Sequence, residues 1–419
     1  MSTEFDSPLW RFFVANLAGT GITDLSKVAG DRAVTPILNG PLRLEGRVPS
    51  DNVQVWTTDV TDGDPFLAEG TRLIWGFRRE NTLASSLTGP YVCRAATICQ
   101  LVEDAAEQDD GRTSFTGWDP WMYLFSRPVC NVDGSLPGVG GISWNATQVS
   151  VIVAQLLRNT IDNHGHAYVD AGVTYSGTAD YTGTLETGAG MVVDLNLPQG
   201  TSVGEAWQKI AAMNVCDIVL EPIYDPFNRP NYLCQLNVYA QAGIVRDEAI
   251  FAWNLPGRSL VQISRLQEGG LRRANKVKLF AGPGGSATGG QTIAVQTDAT
   301  SVAKYGEYWA QQFFPGETVA AAVLSIAERQ LELRKNGRET VTFKPAPERS
   351  PRPWLDYDLG DRVVVWASKE GFRQLLGQQT VGTVASTQYQ RVYGWRTNIS
   401  DDALETVDPL MVSAQGFTA

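Results

Sequence analysis

Asp356, Asp358 and Asp361 place three carboxylates within six positions of the stretch PWLDYDLGDRVVVW (353–366), between Trp354 and Trp366 and beside Arg362. Carboxylates this close could share a proton or hold a cation. Asp356 and Asp358 imitate a metal-binding D-x-D, but the step to Asp361 does not match the ligand spacing of a calcium loop. The stretch reads better as a tight turn. Gly360 supplies backbone angles that other residues avoid, Asp361 caps the bend, and RVVVW follows as a buried strand. Pro351 and Pro353 keep the approach extended. The expected role is architectural.

The only two histidines, His164 and His166, fall in DNHGHAYVD (162–170) with Asp162 and Asp170. On a strand both rings would face one way and could share a metal. No further histidine or paired cysteine completes such a site, and polar turn residues are ordinary where a helix has just ended. The glycine-rich AGPGGSATGGQT (281–292) follows a strand, as a phosphate loop would, but it lacks a GK[ST] ending and runs into another strand, QTIAVQTD. It reads as a loop. No G-x-S-x-G or H-E-x-x-H occurs, and no cysteine lies near a histidine in sequence. A glycosidase-type carboxylate pair would be assembled in space, and among 45 acidic residues none stands out. No catalytic, cofactor-binding or metal-ligating residue is therefore assigned.

The elements that would position any site are mainly strands. With 419 residues, 43% of them hydrophobic and 19% charged, the chain should fold into several domains. Early strands are PLRLEGRV, NVQVWTT, TRLIWGFRR, GPYVCRAATICQLV and TSFTGW, expected to be antiparallel across residues 30–118, with the acidic EDAAEQDDGR (103–112) as a solvated hairpin loop. Later strands are CDIVLEPIY, YLCQLNVYA, SLVQISRL, ANKVKLF, ETVTFKP, DRVVVWAS and YQRVYGWRTNIS. Helices are few. Asp119 caps one that starts at Pro120. Val149, Ile152, Val153 and Leu156 share a face of a second, and Ser202 with Glu205 makes a capping box for a third. The alanine-rich 317–336 segment is expected to be the longest helix. Glycine-rich DGSLPGVGGIS (133–143) reads as a domain boundary.

A net charge of −11 argues against a general nucleic-acid binder. Five cysteines without CxxC spacing read as buried free thiols. The N-terminus has no basic stretch before an apolar core, and the longest apolar stretch, around VSVIVAQLL, is short of a membrane span, so a soluble chain made in a cytoplasm is expected.

TVTFKPAPERSPRPWLDYDLGDRVVVWAS, preceded by TSVAKYGEYW and the alanine-rich helix, by LRRANKVKL, by SFTGWDPWMYLFSRPV and by NGPLRLEGRVPSDN, resembles in order and spacing the baseplate hub, or tail-associated, minor tail proteins of long-tailed bacteriophages, particularly those infecting actinobacteria. The likeness covers nearly the whole chain and is strongest from 270 to 400. It implies a β-dominated α+β fold with two tail-tube-like β-barrel domains and α+β insertions. Residues 1–29 would be an N-terminal arm, 30–140 the first barrel domain and 141–225 a helix-containing insertion. Residues 226–345 would be a second β-domain with the long helix, completed by a C-terminal segment, 346–419. The resemblance also implies a homotrimeric structural protein of the virion tail tip, a ring of six similar barrels that gates a DNA-ejection channel. Its neighbours would be a distal tail protein ring, a tape measure protein and other tail-tip or fibre proteins. DNA would pass without specific binding, through a neutral or negative lumen. Competing functions are a tail-associated cell-wall hydrolase and a receptor- or glycan-binding module.

Overall fold

The computed structural model of the chain describes residues 9–25, 30–49, 72–80, 91–107, 110–164, 169–170, 173–175, 179–181, 192–224, 233–253, 260–268, 273–282, 292–315, 320–335, 338–346, 349–367, 389–400 and 405–413. It is β-dominated α+β, as expected. The first strands are β1 (Trp10–Asn16), β2 (Thr23–Asp24), β3 (Gly30–Thr35), β4 (Arg43–Pro49), β5 (Arg72–Arg79), β6 (Tyr91–Glu107) and β7 (Asp110–Trp118). They pair antiparallel in the order β3-β4-β7-β6-β5-β1-β2. The segment 1–29, expected as an arm, thus contributes β1, which runs beside β5 from Trp10↔Arg78 to Asn16↔Arg72. NVQVWTT (52–58) lies outside the described residues.

This sheet is buried on both sides, which explains the nearly unbroken apolar run of β5. Trp10, Phe12, Val14, Leu44, Ile74 and Phe115 face one core, whereas Leu73, Trp75 and Phe77 face another. The acidic 103–112 segment corrects the expected loop. Glu103↔Ser114 through Glu107↔Asp110 continue the β6–β7 ladder, so the strands run on as a two-stranded ribbon. A ribbon satisfies its backbone groups across the pair, so an acidic sequence need not end it.

After β7 come α1 (Pro120–Leu124), β8 (Ile142–Gln148), α2 (Val149–His164), the short β9 (Val169–Asp170), β10 (Val173–Tyr175) and β11 (Ala179–Tyr181), then β12 (Val192–Leu197), α3 (Val203–Ala212), β13 (Asp217–Pro222) and β14 (Cys234–Tyr239). The helix starts are those the sequence encodes. The Asp119 side chain accepts from Trp121 N–H with Pro120 in the first turn, and both bonds of the Ser202/Glu205 capping box are made. Val149, Ile152, Val153 and Leu156 of α2 are buried as their spacing requires, in one core with Trp121, Trp207, Ile218 and Leu236 and with β5. Trp121 and Trp207 meet edge-to-face at 5.2 Å, and Trp207 Nε1–H donates to Val153 O at 3.2 Å.

The last third holds β15 (Val245–Trp253), β16 (Leu260–Glu268), β17 (Lys276–Gly282), β18 (Thr292–Thr297), α4 (Ala299–Tyr305), β19 (Trp309–Pro315), α5 (Ala320–Arg334), β20 (Arg338–Pro345), β21 (Arg362–Ala367), β22 (Tyr389–Ile399) and β23 (Glu405–Ser413). Strands β18-β17-β19 form a small sheet packed on α5. Helix α5 lies within the 317–336 segment expected to be the longest helix, of which 317–319 and 336 lie outside the described residues. Strand β15 runs parallel to β21, which pairs antiparallel with β22, itself flanked by β23. The pairs Thr397↔Val34, Asn398↔Ala33 and Ile399↔Arg32 then join β22 to β3, so early and late strands share one curled eleven-stranded sheet. A third core, with Phe251, Phe343, Tyr357, Val363, Val365, Trp395 and Met411, lies under its late half.

All five cysteines are free thiols, four of them buried. No helix among the described residues is long and apolar enough to cross a membrane. Replacing Trp207 by Ala, which removes a fully buried indole and its hydrogen bond, is expected to cost about 3–5 kcal/mol in a denaturant unfolding measurement.

Candidate functional site

The carboxylates of the 353–366 stretch go to three different places. Asp356 Oδ2 accepts from Arg352 N–H at 2.7 Å, closing a local turn. Asp358 Oδ1 accepts from Leu359 N–H at 2.8 Å. Asp361 is buried and engaged on both oxygens: Oδ1 takes Ile244 N–H at 2.7 Å, and Oδ2 takes Asp358 N–H at 2.9 Å and Arg246 Nε–H at 3.0 Å. Gly360 has φ +83° and crosses Gly243, at φ +84°, so closely that a Cβ on Gly360 would lie 2.5 Å from Ala242 O. Only glycine fits both positions. The expected turn is present, and its Asp also docks onto the segment that leads into β15.

Beside this crossing lies a buried ion pair that joins distant parts of the chain. Arg391 on β22 binds Asp217 on β13 through Nη2 and donates to Ala242 O at 3.2 Å and Gly360 O at 3.3 Å. Asp217 Oδ2 also accepts from Ala242 N–H at 2.7 Å, and Oδ1 from Asn39 Nδ2–H at 2.9 Å. Asn39, held at φ +59°, returns a bond by accepting Ile218 N–H on Oδ1 at 2.7 Å. A pair this buried persists because the remaining donors and acceptors are satisfied by backbone.

A second network surrounds Trp354, which sits at φ +64° with its N–H donating to Tyr357 O at 2.7 Å. Its ring meets Trp10 at 5.6 Å and Trp395 at 5.1 Å, while the guanidinium carbons of Arg78 and Arg94 each lie 5.8 Å from it. Arg78 forms a bidentate pair with Glu405, at 3.0 and 2.8 Å, and Arg94 another with Glu80, at 2.7 Å for both bonds. The tryptophan thus clamps β1, β5 and β6 to β22 and β23. None of Asn39, Asp217, Gly243, Arg391 or these arginines was singled out by sequence reasoning. Asp217 and Arg391 are 174 positions apart, and only a glycine just before a strand start hinted at the crossing.

Between these networks lies a cavity of about 300 Å3 lined by Arg94, Asp119, Glu221, Asn237, Trp354 and Asp358, among others. Burial pushes the Asp119 carboxyl up to about 7, against hydrogen bonds from Leu42 N–H at 2.9 Å and Trp121 N–H at 3.1 Å. Loss of water around the carboxyl against the cavity walls raises Asp358 to about 6, although the residue as a whole is exposed, which limits what the shift contributes to stability. Two such carboxyls in one cavity are acid–base material. Asp119, however, has both oxygens committed to backbone donors as the cap of α1. Cys93, also on the wall, is pushed up to about 12 by burial and donates Sγ–H to Ala95 O at 3.5 Å, so it is a neutral thiol and a poor nucleophile. His166 lies outside the described residues, as does the side chain of His164, which ends α2. Of 281–292, residues 283–291 also lie outside them. Among the described residues no three His, Cys, Asp or Glu side chains are grouped to hold a metal ion.

Arg391→Met would strand the Asp217 carboxylate in the interior and is expected to lower unfolding free energy by about 3–5 kcal/mol, with Asp217→Leu/Arg391→Met costing less than the two single changes added. A urea-denaturation double-mutant cycle reads both. For Asp119, the folded value near 7 exceeds the unfolded 3.8, so its protonated form stabilises the fold below about pH 4 and that contribution is lost as pH rises to 7. The decline in melting temperature from pH 5 to 8 should be shallower in Asp119→Asn than in the wild type.

No protein-family model and no curated protein sequence matches the chain. Solved structures do. The 43 kDa tail protein of prophage MuSo2 from Shewanella oneidensis superposes with a TM-score of 0.57 and 12% identity, over 97% of this chain and 100% of the other. A tail protein from Neisseria meningitidis MC58 gives 0.53 and 12% over 96% of each chain, and prophage tail protein gp18 from Listeria monocytogenes gives 0.53 and 10% over 96% and 94%. With nearly the full length of these chains aligned and so few residues shared, what they have in common is backbone architecture: the chain has the fold of these prophage tail proteins.

Proposed function

We propose that the chain is a structural protein of a phage virion, a homotrimeric hub at the tail tip. It joins the six-fold tail tube and distal tail ring to three-fold tip proteins and forms part of the DNA-ejection channel. The observation that carries this reading is the end-to-end fold likeness to the Shewanella tail protein. Two separate apolar cores, one under each half of the curled sheet, support two tail-tube-like barrels per copy and hence six around a trimer axis. The polar groups serve the same end, since Asp361, Asp217, Arg391 and the Trp354 clamp are spent on fixing segments against one another. We assign no bond-breaking step to the chain.

The charge fits a conduit. A passage for DNA must not hold phosphates, and a chain with net charge −11 and only eight lysines meets that need with a neutral or negative lumen. The distal tail ring, the tape measure protein and tip or fibre proteins are its expected neighbours. Mass measurement of the purified chain should give three copies, and labelled antibody should mark the tail tip in electron micrographs of virions. A monomer at all concentrations, or label along the tail shaft, would overturn the assignment. Fragments released from purified cell wall would move it to a hydrolase.

A further inference from the structure

The small sheet β18-β17-β19 has one covered face and one open face. Val277 and Leu279 of β17 and Ala294 of β18 point to α5 and share a core with its Val323, Ile326, Ala327 and Leu331. Alternate residues point the opposite way. These are Lys276, Lys278 and Phe280 on β17, beside Ile293 and Val295 on β18 and Trp309 on β19. Ile293, Val295 and Trp309 are 51%, 49% and 48% exposed. The ammonium of Lys276 lies 4.9 Å from the Trp309 ring centre, and that of Lys278 lies 4.8 Å from the Phe280 ring centre. Lys276 pairs with Glu307, whereas Lys278 has no acidic partner among the described residues. An apolar patch edged by lysines is unusual on so acidic and lysine-poor a chain, and contiguous exposed apolar surface marks an interaction site.

A second such surface is the loop NVDGSLPGVGG (131–141). Its backbone is held in shape, with Asn131 N–H donating to Ser135 O at 3.0 Å, Gly134 N–H to Asn131 O at 2.9 Å and Gly141 N–H to Gly138 O at 2.8 Å. Asp133 Oδ1 accepts from Ser135 N–H at 3.0 Å and Ser135 Oγ–H at 2.6 Å, which holds its carboxyl below the usual range. From this frame Leu136 and Val139 project into solvent, 61% and 95% exposed. A loop ordered by its own hydrogen bonds that displays two aliphatic side chains beside a fixed negative charge is pre-organised for a partner.

We propose that the 131–141 loop of one copy docks on the open β18-β17-β19 face of a second copy, with Leu136 and Val139 against Ile293, Val295 and Trp309 and Asp133 opposite Lys278. The surfaces match in chemistry: each is an apolar patch edged by charge, of opposite sign on the two sides. Loop and face are different surfaces of the chain, so a contact that is not reciprocated between two copies is head-to-tail, and such contacts build closed rings when the rotation between copies allows. The inference rests on the trimeric reading above and names the contact that would hold the ring.

The test measures self-association of the full chain by analytical ultracentrifugation, for wild type and for Val139→Asp, Val295→Asp, Asp133→Lys, Lys278→Asp and the Asp133→Lys/Lys278→Asp double variant. Asp133, Val139 and Val295 are exposed and Lys278 is half-buried at the edge of the face, and unaltered thermal melts of the variants verify folding. Each single change is expected to weaken association by about tenfold or more, and the double charge reversal to recover most of it. In addition, mixed Val139→Cys and Val295→Cys chains should form a disulfide with each other and not with themselves. A wild-type trimer that all the variants leave intact would overturn the docking contact while sparing the trimeric reading. A wild type that stays monomeric at every concentration would overturn both. Association at another stoichiometry that the variants abolish would keep the contact and remove the three-fold ring.

Discussion

Asp217 and Arg391 are oppositely charged, nearly without solvent, and far apart in the chain, and the rest of the architecture is organised around the place where they meet. Around that pair the Asn39 turn, the start of β13, the Ala242–Gly243 corner, the Gly360–Asp361 turn and β22 converge within hydrogen-bonding distance. Burying two charges gains little net stability, because desolvation cancels much of their attraction. What the pair supplies is registry. A slip of β22 by one residue would turn Arg391 away from Asp217, leave a carboxylate without counter-charge in the interior and expose the apolar face that carries Val392. The penalty for error is larger than the reward for the correct arrangement, and this is how a polar junction specifies one structure.

The same logic extends to Trp354. Its left-handed backbone carries a strain cost for a bulky residue. That cost is offset by a position that packs two tryptophans and two arginines around one ring. Both arginines are neutralised by bidentate glutamates, so the cluster brings together early and late strands without an unpaired charge. The polar interior is committed to fixing strands in place. The cavity between the two networks is consistent with that use, since its most buried carboxyl, Asp119, also caps α1 and reaches across to Leu42.

Much of the local structure was legible because its causes are local. The Asp119–Pro120 helix start, the Ser202/Glu205 capping box, the apolar face of α2 and the Gly360–Asp361 turn all depend on neighbours a few residues away. The acidic 103–112 stretch misled for the same reason: charge predicts hydration, and a two-stranded ribbon is as well hydrated as a loop. Strand β1 was passed over because it opens close to an acidic, polar terminus, and it is a strand only by virtue of pairing along the whole of β5.

The candidate site shows where local reading stops. Asp361 was correctly placed at a turn, but nothing near it in the chain reveals that Ile244 and Arg246 complete its bonds. Asp217 and Arg391 each look like ordinary charged residues in a strand. The sequence by itself determined many of the strands, where α1 and α3 begin and which turn needs glycine, since these follow from backbone angles and short-range hydrogen bonds. Only the tertiary structure decided that early and late strands merge into one sheet, that three cores form, and which charges meet. Those outcomes depend on chain closure over hundreds of residues, and no periodicity or spacing encodes the partner of a buried charge.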